Sequence, residues 1–220
     1  MTIRVLVSGA SGKMGQCVVN AIQASSEFVL AGSASRTDNL VDSIKKNSPD
    51  VVVDFTHPDV AYQHAKTIIE QNVHPVIGTT GFSFQQIGAL QAACAAIGLG
   101  GVIAPNFSLG TVLMIKYAAQ MAAYFPNIEI IEMHHAGKKD APSGTALYTA
   151  QKLSDKPIPI HSIRLPGLIA HQEILFGGLG ETVRFRQDTS DRQCFMPGVL
   201  LACKRALTID RLLHGLEELL

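Results

Sequence analysis

Charged residues are scarce in this sequence. Asp, Glu, Lys and Arg make up 16% of the 220 residues, against an average of about 25%. A disordered chain needs the reverse, few apolar residues and a high net charge, whereas apolar residues here reach 47%. A chain that wraps nucleic acid needs a surplus of Lys and Arg for the phosphates, and the formal net charge is zero. Cysteine is sparse as well. Cys17, Cys94, Cys194 and Cys203 are scattered with no CxxC pair, so neither a disulfide framework nor a metal site is expected. The opening MTIRVLVSGASG reaches its glycines before a secretory apolar region could form. These absences together read as a reduced, cytoplasmic protein.

The low charge is concentrated in one place. Between Glu70 and Lys116 His74 is the sole titratable acid or base of the Asp, Glu, Lys, Arg and His set. A membrane span needs about 20 continuous apolar residues, and Gln85, Gln86, Gln91 and several glycines interrupt this run. It reads as a buried strand–helix–strand stretch, and no membrane association is expected.

Periodicity organises the chain. Ile3 to Val7 is a short apolar strand, and from Lys13 apolar residues recur at helical spacing to Ala24. Strands are predicted at 28–34, 51–55, 75–77 and 101–104, with helices around 40–44, 58–69 and 84–94. Val51, Val52 and Val53 form a run of the kind buried on both faces of a parallel sheet. Alternation at this spacing means βαβ units. It breaks near Asn106. A helix around 112–121, strands at 128–133, 158–164, 169–176 and 182–187, and one helix at 145–153 then predict an α+β unit with a mixed or antiparallel sheet. The tail from Pro197 to Leu220 reads as helical again. The fold class is therefore α/β: a Rossmann-like parallel-sheet domain, 1–106 completed by 197–220, and a second α+β domain, 107–196.

Gly9, Ala10, Ser11, Gly12, Lys13, Met14 and Gly15 link the first strand to the first helix. Glycine permits a tight turn and close backbone approach, and the helix N-terminus offers N–H groups to a pyrophosphate. In a βαβ setting this points to a dinucleotide; the alternative is a plain structural turn. An acid at the end of the second strand would bind the ribose of NAD. Ser33, Ala34, Ser35 and Arg36 stand there instead, and Arg36 suits a 2′-phosphate, which favours NADPH over NADH. Two further turns, Gly78, Thr79, Thr80 and Gly81, and Ala104, Pro105, Asn106, Phe107 and Ser108, follow parallel strands where ligands bind.

The stretch from Glu129 to Ala146 carries the densest chemistry. His134 and His135 end a strand, Lys138, Lys139 and Asp140 follow in a loop, and Ser143, Gly144 and Thr145 start a helix. Histidine suits proton transfer near neutral pH, and a hydroxyl-rich helix start suits a carboxylate. The alternative is a polar strand end beside a capped helix.

With this stretch, read as E-x-x-E-x-H-H-x-x-K-x-D-A-P-S-G-T-A, the chain resembles the dihydrodipicolinate (4-hydroxy-tetrahydrodipicolinate) reductase family. The Gly9–Gly15 loop, Asp54, Phe55 and Thr56, Gly78–Gly81 and Ala104–Ser108 follow the family's order. The resemblance implies that residues 9–14 and Arg36 hold the adenosine and pyrophosphate, and that Gly78, Thr79, Thr80, Ala104, Pro105, Asn106 and Phe107 hold the nicotinamide side. It implies proton transfer by His134 and Lys138, a dicarboxylate held by His135, Ser143, Gly144 and Thr145, and a homotetramer built through the sheets of the second domain. The implied reaction is reduction of a cyclic conjugated imine in lysine and diaminopimelate synthesis. The chain departs from the family in having Ser35 where an acid is common, and in short stretches between Arg36 and Asp50 and between Thr145 and Ile169. The rivals are another aspartate-family NAD(P) dehydrogenase and a non-catalytic nucleotide sensor. None of the cysteines sits in a loop fit for a semialdehyde enzyme's nucleophile, and intact His134 and Lys138 speak for catalysis.

Overall fold

The computed structural model describes residues 2–220. The chain divides into two compact units, Met1–Phe107 with Phe195–Leu220, and Ser108–Cys194.

The first unit is built on a six-stranded sheet. Its strands are β1 (Ile3–Ser8), β2 (Phe28–Ala34), β3 (Val51–Asp54), β4 (His74–Ile77), β5 (Gly101–Ile103) and β10 (Leu212–His214), in the order β10-β5-β4-β3-β1-β2. Every pairing is parallel, so the loops after β1, β2, β3, β4 and β5 emerge at one edge. The order reverses beside β1, the place where such sheets open a ligand crevice. Helices α1 (Lys13–Gln23), α2 (Leu40–Asn47), α3 (Pro58–Glu70), α4 (Phe84–Ile97) and α7 (Met196–Ala206) cover the sheet. Leu6, Val52, Ile68, Ile77, Leu90, Ile103 and Leu212 are members of one buried core. Helix starts follow local chemistry: Asn39, His57 and Ser83 accept bonds from their own first turns, and Ser83 with Gln86 forms a reciprocal capping box.

The C-terminal segment differs from expectation. It is not helical throughout: after α7, Leu212–His214 joins the sheet as a sixth strand beside β5. A three-residue strand is too short to show alternation, and both Leu212 and Leu213 are buried. The neighbour's open edge decides its conformation, which no local pattern signals.

The second unit holds a four-stranded sheet, β7-β6-β8-β9, with β6 at Asn127–His134, β7 at Ile160–Arg164, β8 at Ala170–Gly178 and β9 at Glu181–Thr189. β6 and β7 are parallel, joined through α6 (Gly144–Leu153); β6–β8 and β8–β9 are antiparallel. The sheet is mixed. One face carries Ile128, Ile130, Ile174 and Phe176 against Met114 and Ala118 of α5 (Leu109–Ala122) and Ala146 and Leu153 of α6. The other face carries Glu129, Ile131, Met133, Glu173 and Leu175 by strand alternation. No helix among the described residues is long and apolar enough to cross a membrane.

Candidate active site

In the first unit the glycine loop sits at the switch in strand order. Gly9 has φ +80°, and a Cβ there would strike the Phe55 carbonyl, so only glycine fits. Its N–H bonds to the Ala34 carbonyl at 2.9 Å, fixing the loop to the end of β2. Gly12 is the N-cap of α1 and, having no side chain, leaves the first turn without the side-chain cap that α2 through α6 possess. Lys13 and Met14 stand in that turn. A diphosphate fits this arrangement: backbone donors at a positive helix end, with the space a Cβ would fill kept clear. Ala10 and Ser11 complete the turn.

Phe55 links the other segments expected on the cofactor side. Its ring lies against Gly78, where a Cβ would collide with it, and meets Phe107 edge to face with centroids 5.8 Å apart. Thus the Gly9 loop, the turn after β3, Gly78 and Phe107 come together. Thr79 is buried with its hydroxyl turned inward to Asp54, 3.0 Å away, while Thr80 is exposed. Ala104 is buried and bonds the Ile77 carbonyl through its N–H; Pro105 and Asn106 are half-buried. Arg36 is exposed just past β2. Nearby lies an acid that the sequence pattern did not reveal. Asp38 accepts from the Ser35 N–H at 2.7 Å and its hydroxyl at 2.6 Å, and these two bonds hold its carboxyl below the usual range.

In the second unit the histidine–lysine segment is organised by Glu132, which is fully buried. Strand alternation puts Glu132 and His134 on one face of β6, and His134 Nδ1 lies 2.6 Å from Glu132 Oε2. The parallel register places Arg164 opposite His134, so its guanidinium forks onto Glu132 at 2.8 and 2.6 Å. The Ser143 N–H reaches Glu132 Oε1 at 3.2 Å, tying the start of α6 to the same carboxylate. Burial pushes the Glu132 pKa up, but Arg164, Ser162 and His134 outweigh it and keep the group ionised. An ionised carboxylate only accepts, so His134 donates through Nδ1 and turns Nε2 outward. Burial, with Lys138 and Arg164 assisting, lowers the His134 pKa although Glu132 opposes this. Lys138 Nζ is held 2.8 Å from Asp140 Oδ1. His135 is exposed in the following turn, and its carbonyl accepts from the Lys138 N–H at 3.1 Å. Ser143 caps α6 through Ala146, with Gly144 and Thr145 in the first turn.

Sequence reasoning passed over Phe55 and Glu132 as working groups, and missed Arg164 altogether. Glu132 was legible: it precedes His134 by two positions in a strand, hence shares its face. Arg164 left no signal, because its partner lies 32 residues away.

A parallel sheet with a glycine loop at its switch in strand order, in one unit, and a sheet bearing a buried carboxylate bonded to a histidine, in the other, are the parts of a nicotinamide-nucleotide-dependent reductase. A solved amine dehydrogenase from Mycobacterium smegmatis shares the fold, with a TM-score of 0.72 over 96% of this chain and 94% of that one at 11% identity. The chain belongs to the dihydrodipicolinate reductase family: the family model described as "Dihydrodipicolinate reductase, N-terminus" matches residues 3–107, and that for the C-terminus matches 110–220. It is 46% identical to the 4-hydroxy-tetrahydrodipicolinate reductase of Coxiella burnetii (strain RSA 493 / Nine Mile phase I) over 239 aligned positions, and 44% identical to that of Legionella pneumophila (strain Lens) over 243, each covering the whole of both chains. Both alignments are longer than this 220-residue chain, so those relatives carry segments it lacks. The solved "Dipicolinate bound Dihydrodipicolinate reductase" from Paenisporosarcina sp. TG-14 superposes with a TM-score of 0.87 at 38% identity, with both chains fully covered.

Proposed function

We propose that this chain reduces 4-hydroxy-tetrahydrodipicolinate or dihydrodipicolinate to tetrahydrodipicolinate with NAD(P)H, in lysine and diaminopimelate synthesis. The observation that carries the reading is the Glu132–His134 pair beside Lys138 and the start of α6, in a chain of this family. Residues 1–106 with 197–220 bind the nucleotide, and 107–196 bind the substrate. The α1 N-terminus, with Gly9, Ala10, Ser11, Gly12, Lys13 and Met14, holds the pyrophosphate; Gly78, Thr79, Thr80, Ala104, Pro105, Asn106 and Phe107 shape the nicotinamide side.

When bound, the nicotinamide supplies hydride to the ring of the conjugated imine. The protein supplies binding and the proton that the resulting electron-rich substrate takes up. His135, Ser143, Gly144 and Thr145 hold the dicarboxylate at the positive end of α6. Lys138, held against Asp140, gives the proton. His134, its lowered pKa leaving Nε2 free to accept, orients the substrate and passes protons. Glu132 keeps the ring from turning.

Arg36 supports a preference for NADPH. Asp38, next to Ser35, supports retained use of NADH. The sheet face bearing Ile131, Met133 and Leu175, with exposed Ile163 at its edge, supports homotetramers through that face, which light scattering tests. Four cysteines, none of them paired, support a reducing, cytoplasmic setting.

The deciding experiment couples the purified protein to the synthase that makes the unstable substrate and follows NADPH oxidation. Turnover is expected, falling about 10²–10⁴-fold in His134→Gln and Lys138→Ala with NADPH affinity kept. Normal nucleotide binding without turnover would make the chain a sensor.

A further inference from the structure

The charged group most deeply enclosed in the first unit is outside the machinery described so far. Asp54 ends β3 after three buried valines and is itself fully buried. Its Oδ2 lies 2.8 Å from His64 Nδ1 on α3. Its Oδ1 accepts from the Thr56 hydroxyl at 2.7 Å, the Thr56 N–H at 3.2 Å and the Thr79 hydroxyl at 3.0 Å. Ser8, at the end of β1, stands opposite Asp54 in the parallel register, and its carbonyl accepts from the Phe55 N–H at 3.0 Å. The Thr56 N–H further reaches the Thr79 hydroxyl at 2.9 Å, so the turn after β3 and the loop after β4 are locked to each other.

A buried charge is a costly way to stabilise a core: apolar residues of like volume at such sites are often as good or better. The placement of these residues gives the group another use. Ser8 immediately precedes the Gly9 loop, Thr56 adjoins Phe55, and Thr79 lies between Gly78 and Thr80. Each of the three residues thus lies next to or within a segment read above as receiving the cofactor.

We propose that Asp54, held by His64, is a positioning residue for the nicotinamide nucleotide: one carboxylate sets the relative placement of the loops that receive it. Asp54 touches no ligand. It acts through Thr56 and Thr79. This inference rests on the nucleotide-binding reading above.

Equilibrium titration with NADPH, set beside the KM for the substrate and thermal melting, tests it. Asp54→Asn keeps the shape but turns an acceptor oxygen into a donor facing donors. The Kd for NADPH should rise about tenfold, as expected of a loosened supporting shell, while the KM for the substrate stays put. His64→Leu should also raise the Kd, and His64→Asn, which keeps an N–H where Nδ1 stands, should restore it. A folded Asp54→Asn protein with wild-type Kd overturns the proposal. So does a fall in melting temperature with Kd and substrate KM worsening alike, the mark of a purely structural group. If Asp54→Asn does not fold, the His64 pair decides: equal Kd values for Leu and Asn overturn the proposal. Failure of the unmutated protein to bind NADPH or NADH would instead sink the nucleotide reading itself, and this inference with it.

Discussion

Arg164 and Glu132 meet across two parallel strands in a forked ion pair, with Nη1 2.8 Å from Oε2 and Nη2 2.6 Å from Oε1. Glu132 is inaccessible to solvent, and the same carboxylate fixes His134 and the first residue before α6. One buried charge thus aligns a strand end and a helix start. Removing Arg164 takes away that charge's forked cation and leaves only His134, Ser162 and the Ser143 N–H to hold it. Arg164→Met should cost roughly 3 kcal/mol or more of stability, read as a lower urea midpoint. It should also lower turnover further than the loss of folded protein explains, because the His134 ring loses its anchor. A midpoint unchanged from wild type would mean that the pair is not formed in solution.

Arg36 is assigned to the 2′-phosphate on position and charge. Arg36→Ala should raise the KM for NADPH about tenfold, the loss of a charge-assisted pair, and leave that for NADH nearly unchanged. Asp38→Asn should shift the ratio the other way. Parallel steady-state assays with each nucleotide read both effects. Equal changes for the two cofactors would detach Arg36 from the phosphate.

Two glycines should respond with opposite sign to the same substitution. A Cβ on Gly15 would collide with the Gly9 carbonyl and the Ala10 Cα, backbone atoms that cannot step aside. Gly15→Ala should destabilise by about 1–3 kcal/mol and weaken nucleotide binding. Gly88 lies within α4 with nothing near its missing Cβ. Gly88→Ala should stabilise by about 0.5–1 kcal/mol, the helix-propensity gain. Chemical denaturation of the two proteins side by side checks the pair.

Stability should fall on mild acidification. Burial depresses the pKa of His134 in the fold, whereas an unfolded histidine titrates near a pH of about 6.5. As pH drops through that range the unfolded chain takes the proton first, so the balance moves toward unfolding. His134→Gln should flatten the loss between pH values of about 7.5 and 5.5. Below a pH of about 4 a second loss follows, because Asp54 and Glu132 are held ionised in the fold by their donors against burial. Urea midpoints across the pH series measure this; identical slopes with and without His134 would refute it.

The sequence by itself determined the parts that local physics controls. Apolar residues at period 3.6 or in continuous runs marked strands and helices of both units. Glycine at positions 9, 12 and 15 marked the turn into α1, because only local φ and space decide it. His134, Lys138 and Ser143 were legible as a group because they lie within ten positions of one another. Only the tertiary structure decided which distant groups meet. It brought Arg164 to Glu132, His64 and Thr79 to Asp54, and Phe107 to Phe55. It also drew Leu212–His214 out of a helical-looking tail into the sheet. In each case the energy comes from a partner supplied by strand order and register. A buried charge or an unpaired strand edge has no preferred answer until that partner arrives.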